Sequence, residues 1–406
     1  MSAVNINKKI IMTLTKGIIG AVIGDIAGSS HESKPVKTQR FKLFNQSSCV
    51  TDDTVLTMAI AEWMLNRDDI RPESTLIKWA ELYPHAGYGS SFKRFLAHGG
   101  RYMEPGSTHN GAAMRVSPVG FLSNTLEECL ELARASALPS HGSDEAIAAA
   151  QATAAAIWLA RNGSSKDEIK SYITQQFGYD LNKSYEDARS EVLHARMMRE
   201  IDYEASHNRI IRASYTVQDA LITFLAGNSY EEVIKLSIYM GGDADTVAAI
   251  AGGIAAAFYG VPQEIIEEAL IYIPSEMIEI INRTDGTNWK PTGLIPPKSS
   301  RWSIKDVVVY GTSVNGAVNE KAYHLTHKTR YSKHFNEGYP IHVIGNTPDR
   351  IWDEVQELRR ICERGTHRWH LHPVGLESGT LTYDQFLKLF SWANELDNVL
   401  VCPMLK

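Results

Sequence analysis

The chain has 406 residues, 44% hydrophobic and 22% charged, with a net charge of -6 and a pI near 6.2. That length exceeds one typical core and predicts two domains, each large enough to fold without disulfide staples. The acidic balance excludes a general affinity for nucleic acid or anionic lipid, which needs a basic field.

Cys49, Cys129, Cys362 and Cys402 are scattered and form no CxxC pair, so neither a disulfide framework nor a structural zinc site is indicated and reduced thiols are expected. The most apolar N-terminal stretch, residues 18–27, is short, is broken by Gly20 and Gly24, and carries Asp25. It fits neither a membrane-spanning helix nor a signal peptide, and a cytoplasmic location is the expectation.

From residue 17 to about 282 the pattern is helical almost throughout. Ala-rich runs such as 145–159 and 246–258 are separated by short Gly, Ser, Asn or Pro punctuation, and neither strands nor fixed-period repeats are expected there. Between residues 282 and 300, where Pro291, Pro296 and Pro297 fall, the periodicity stops and a domain boundary is predicted. Beyond it, residues 306–310, 340–344 and 398–401 read as strands. Residues 350–363 and 382–393 read as helices, the latter with Thr382 and Gln385 at capping-box spacing. The expected architecture is a helical domain over 1–290 followed by a small α/β domain over 301–406.

Two acidic stretches stand out. Thr51-Asp52-Asp53-Thr54 precedes an apolar helical run, and Gly241-Gly242-Asp243-Ala244-Asp245-Thr246 heads another. Alone, either reads as an ordinary capped helix start, since Asp and Thr accept the orphan amides and favour the positive end of the helix dipole. Together they supply enough carboxylate and hydroxyl oxygens to cage hard cations, and four converging carboxylates would repel one another unless neutralised. The donor set suits Mg²⁺ or Mn²⁺ rather than zinc.

GDIAGSSHE (24–32), TDDT (51–54), GYG (87–89), NGAAMRVSPVG (110–120) and GGDADT (241–246) occur in the order seen in ADP-ribosylglycohydrolases, and the chain resembles a bacterial-type member over about residues 14–282. The resemblance implies an all-α orthogonal helical bundle and a metal-dependent hydrolase that cleaves the glycosidic bond between ADP-ribose and a modified acceptor. By position, Thr51, Asp52, Asp53, Asp243, Asp245 and Thr246 would hold two Mg²⁺ or Mn²⁺ ions, and Glu32 would be a catalytic or metal-gating carboxylate, with Asp52 or Asp53 as the other candidate base. Gly87, Tyr88, Gly89, Ser107, Thr108, His109, Asn110, Gly111 and His141 would contact ADP-ribose. Thr108 and His109 depart from the family, which often has an aromatic residue and then Gly before the Asn-Gly pair.

The expected partner is an ADP-ribosylated protein or other ADP-ribosylated acceptor; an ADP-ribosylated nucleic acid stays open, and no membrane is involved. Other readings also stay open: a non-catalytic ADP-ribose-binding or immunity-type protein, another dinuclear metallohydrolase acting on a nucleotide, or a plain helical scaffold. In the C-terminal part, the strand and polar turn of residues 306–316 lack G-x-G-x-x-G and form a weak nucleotide-binding signature. Seven of the fourteen histidines lie in residues 324–372 without a Cys partner, a weak metal signal. That part reads as an accessory module that recognises the target or an ADP-ribose-like ligand.

Overall fold

In the computed structural model the described residues are 14–290, except 33–34, 46–47, 85 and 102–105, and the strands Val307–Ser313, Tyr339–His342, His367–Pro373 and Val399–Val401. The chain divides into two compact units, Met1–Lys290 and Pro291–Lys406. The first is mostly helical. No strand is expected over residues 17 to about 282, but Val261–Pro262 pairs antiparallel with Leu14–Thr15, two residues a side and too short to leave an alternating pattern.

In the second unit the strands run in the order Tyr339–His342, Val307–Ser313, His367–Pro373, Val399–Val401, with two antiparallel junctions and a last parallel one. A parallel pair needs a crossover of about a dozen residues or more. The two C-terminal helices expected from sequence lie outside the described residues.

Three helices position the chemistry of the first unit. Ile19–Ser29 is buried along its whole length and lies against Ala244–Tyr259. Gly20, Gly24 and Gly28, spaced by four, share one face of the helix. A Cβ on Gly24 would stand 2.0 Å from the Ala248 carbonyl oxygen, and one on Gly28 would stand 2.4 Å from the Cα of Asp245. Glycine is therefore what lets the backbones approach, and the Tyr230 hydroxyl secures the crossing by donating to the Gly20 carbonyl at 2.7 Å. The third helix, Asp52–Leu65, begins at the first acidic stretch, and residues 53–61 are buried throughout. The Ala-rich helix Asp144–Arg161 supplies another small-residue face of the core.

The N-terminus of the Ile19–Ser29 helix is capped from far away in sequence. Asp285, at the end of the Ser275–Asp285 helix, accepts hydrogen bonds from the Ile18 and Ile19 amides at 2.9 and 3.1 Å. That helix also carries the chain three residues past the start of the boundary expected from sequence.

Two outcomes follow. Gly24→Ala drives a methyl into backbone and should cost about 2–3 kcal/mol, seen as a lower denaturation midpoint; a parental midpoint would contradict the close crossing. Burial pushes the Asp285 carboxyl from 3.8 up to about 7, so in the native state it keeps a proton across that window. Its contribution to stability is full below about pH 3.8 and is lost as pH rises through about 7. Asp285→Asn, always neutral, should therefore lose less stability relative to the parent at pH 8 than at pH 5, and thermal melts showing the opposite order would refute this.

Candidate active site

At the first acidic stretch Thr51 is the helix N-cap, its hydroxyl oxygen accepting from the Asp53 amide at 3.3 Å. The cap is itself held by Asp25, on the Ile19–Ser29 helix. One Asp25 oxygen accepts from the Thr51 and Thr54 amides at 2.9 and 3.1 Å, and the other accepts the Thr51 hydroxyl at 2.7 Å. The second stretch starts where Gly241, at φ +82, reverses the chain after Tyr230–Met240. Arg196 clasps this turn, donating through Nη2 to the Gly242 carbonyl at 2.7 Å and through Nε to the Gly241 carbonyl. Its Nη2 also reaches the Glu32 carbonyl at 2.6 Å, tying the Glu32 segment to the turn. Asn110 donates to an Asp243 carboxylate oxygen at 2.7 Å, and the Thr246 amide donates to Asp245 at 3.0 Å.

These anchors bring the two stretches together. Carboxylate oxygens of Asp25, Asp53 and Asp245 lie within 4.8 Å of one another, all three residues buried. Burial and mutual repulsion push the carboxyls up. Asp52 rises to about 8 through burial and the charges of Asp25, Asp243 and Glu32. Asp53 rises through burial, Asp25 and Asp52, and Asp245 through burial, Asp243 and Asp53. Glu32 is exposed, yet its charge reaches both Asp52 and Asp245.

The residues fit a hard cation. Asp53 Oδ1 is buried and has no hydrogen-bond partner among the described residues, although buried polar atoms ordinarily have one. The donors are all oxygens, and the crowded negative charge calls for neutralisation. Asp25, whose oxygens already accept three hydrogen bonds, acts as the anchor of the Thr51 cap.

The substrate loops foreseen from sequence surround this cluster unequally. The Asp52 amide donates to the Ala86 carbonyl at 2.8 Å, which holds Gly87, at φ +104, beside Asp52. Gly87 and Gly89 are exposed. Tyr88, expected as a ligand contact, turns its ring into the core against Phe92, its hydroxyl donating to the Tyr83 carbonyl at 2.9 Å. Ser107–Asn110 is latched to residues 211–213 by Asn110 N–H to Ile211 O and Ala213 N–H to Thr108 O, each 3.0 Å. The Ser143 hydroxyl donates to the Ser107 carbonyl at 2.8 Å. His109, half-buried, stands edge-on to His207, which stacks on the exposed Tyr203. His141 is buried, with Nε2 facing Gly111, where a Cβ would meet it at 2.8 Å.

The sequence model of the ADP-ribosylglycohydrolase family matches residues 11–284. The chain belongs to the ADP-ribosylglycohydrolase family. It is 28% identical to ADP-ribosylhydrolase ARH3 of Homo sapiens over 61% of this chain and 85% of that protein. To ADP-ribosylhydrolase ARH3 of Bos taurus it is 27% identical, over 61% of this chain and 84% of that one. To ADP-ribosylarginine hydrolase Tri1 of Pseudomonas putida it is 25% identical, over 62% and 72%.

In this member of the family, two residues that the sequence leaves unassigned hold the two acidic stretches, Asp25 and Arg196. Arg115 is fully buried within the NGAAMRVSPVG segment, with Phe92 5.9 Å from its guanidinium; burial brings its pKa down to about 9, against the pull of Asp52, so it stays charged at neutral pH. The signals in the sequence are a lone Arg within an otherwise apolar and small-residue run, and a Gly-Asp step inside an apolar helix.

Cation binding requires the carboxyls to lose their protons. Because Asp52 sits near 8 in the metal-free protein, Mn²⁺ affinity should rise between pH 6 and pH 8 with net proton release. Calorimetry in buffers of different ionisation enthalpy measures it, and a pH-independent affinity without proton release would contradict the assignment.

Proposed function

We propose that the protein is a divalent-metal-dependent hydrolase that cleaves the glycosidic bond between ADP-ribose and a modified acceptor, releasing ADP-ribose. The observation that carries the reading is the meeting of the TDDT and GGDADT stretches around one buried carboxylate cluster. It is supported by relatives whose names are ADP-ribosylhydrolase and ADP-ribosylarginine hydrolase.

In this reading Thr51, Asp52, Asp53, Asp243, Asp245 and Thr246 hold two Mg²⁺ or Mn²⁺ ions. When bound, the ions would supply Lewis acidity, which lowers the pKa of a water and favours its attack at neutral pH. The bond breaks through an oxocarbenium-like state, and the surrounding carboxylates stabilise the positive charge developing on the sugar. Glu32, exposed and close enough to act on Asp52 and Asp245, takes the proton of the attacking water, while the bonding pair leaves with the acceptor, which gains a proton in turn. Asn110 keeps Asp243 turned toward the cluster, and Arg196 keeps the Gly241–Gly242 turn from opening. Gly87, Gly89 and the Ser107–Gly111 segment offer backbone to the ligand, the two glycines with no side chain in the way.

The substrate class is an ADP-ribosylated protein or other ADP-ribosylated acceptor, acted on by the first unit; the C-terminal unit is an accessory module. Among the described residues no helix is long and apolar enough to cross a membrane.

Incubation with arginine-linked and serine-linked ADP-ribosyl substrates, with and without Mg²⁺ or Mn²⁺, tests this. The parent should release free ADP-ribose only with metal, and Asp245→Ala or Asp53→Ala should lower turnover by at least about 100-fold while keeping the helical circular dichroism. Turnover retained in either variant would refute the metal-holding roles, and inorganic phosphate as the product would refute the reaction class.

A further inference from the structure

His141 is connected to a charge the proposed chemistry does not use. The Arg115 Nη2 group donates to the Ser136 carbonyl and to the Ser140 hydroxyl oxygen, both at 2.9 Å, and the Ser140 hydroxyl stands 2.8 Å from His141 Nδ1. All these side chains are buried. A guanidinium can only donate, so the Ser140 oxygen accepts from Arg115 and has one proton of its own to place. Among the described residues that hydroxyl has no other acceptor than His141 Nδ1, and a buried hydroxyl left without one costs about 1–3 kcal/mol. Nδ1 must then be the unprotonated nitrogen. Burial, with the charge of Arg115, holds His141 well below its usual range, so the ring is neutral and its one N–H is on Nε2. That nitrogen has no hydrogen-bond partner among the described residues and faces Gly111, beside the Asn110 that holds Asp243.

We propose that Arg115 is a positioning residue: through Ser140 it fixes the His141 tautomer that carries its proton on Nε2, and so presents an N–H donor to a phosphate or ribose oxygen of the ligand along the Asn110–Gly111 turn. The tautomer argument stands on the hydrogen bonds alone, whereas the choice of ligand rests on the reading of the site as one for ADP-ribose. The arrangement accounts for an arginine kept fully buried without a carboxylate partner in its hydrogen bonds, its Nε and Nη1 unpaired among the described residues. Such a placement is costly, and the bonds it does make go to the Ser136 carbonyl and to Ser140, beside His141.

The test is nitrogen NMR of the full chain labelled at histidine, with His141 assigned by its loss in His141→Asn, alongside calorimetry with ADP-ribose. The parent should show a pyridine-like Nδ1 and a pyrrole-like Nε2. Ser140→Ala should mix the tautomers and weaken ADP-ribose binding on the order of 10-fold with unchanged circular dichroism. Arg115→Met should also mix them, whereas an arginine with only a structural role would lower the melting temperature and leave the tautomer alone. A pyrrole-like Nδ1 in the parent overturns the proposal, whatever the variants do. So does Ser140→Ala with parental tautomer and affinity. The expected tautomers without ADP-ribose binding in the parent would overturn the choice of ligand. Binding with the expected tautomers but no hydrolysis would overturn the hydrolase reading and uphold the relay.

Discussion

The site depends on how closely the Ile19–Ser29 helix lies against Ala244–Tyr259. Glycines at 20, 24 and 28 remove the side chains that would hold the backbones apart, and the contact at Gly28 falls on the backbone of Asp245 itself. This crossing delivers Asp25 from one helix and Asp245 from the other to the same buried spot, where Asp53 joins them. Asp25 then reaches sideways to the amides of Thr51 and Thr54, so one carboxylate sets the start of a third helix. The approach of the helices, the cap and the acidic cluster are one construction.

Such a cluster opposes folding. Two like charges about 4 Å apart repel by about 4 kcal/mol at an effective dielectric near 20, and burial adds to the cost. The metal-free protein lowers that cost by holding protons, which is the physical content of carboxyls raised far above their ordinary range. A divalent cation bound there would lower it by displacing them. In the proposed function the same negative field would suit a reaction that develops positive charge on a sugar, so ion holding and transition-state stabilisation would draw on one electrostatic arrangement.

Much of this was legible from the chain. Both acidic stretches announced themselves because each is followed by an apolar helical run, and the helices Asp52–Leu65 and Ala244–Tyr259 begin at those acids. What sequence could not give was long-range partnership. Asp25 reads as a residue that spoils a membrane span; its role appears only with partners 26 and 29 positions away. Asp285 caps a helix 267 residues earlier, and Arg115 meets Ser140 across 25. At Tyr88 the motif marks the turn, and only the packed structure shows that its ring lies against Phe92.

The claim on which the account rests is that both acidic stretches bound one cation site. Diffraction at the manganese edge from crystals grown with Mn²⁺ measures this directly. Anomalous density is expected, enclosed by Asp52 and Asp53 on one side and Asp243 and Asp245 on the other. Saturating Mn²⁺ that leaves no density there, or places it against one stretch alone, would contradict it.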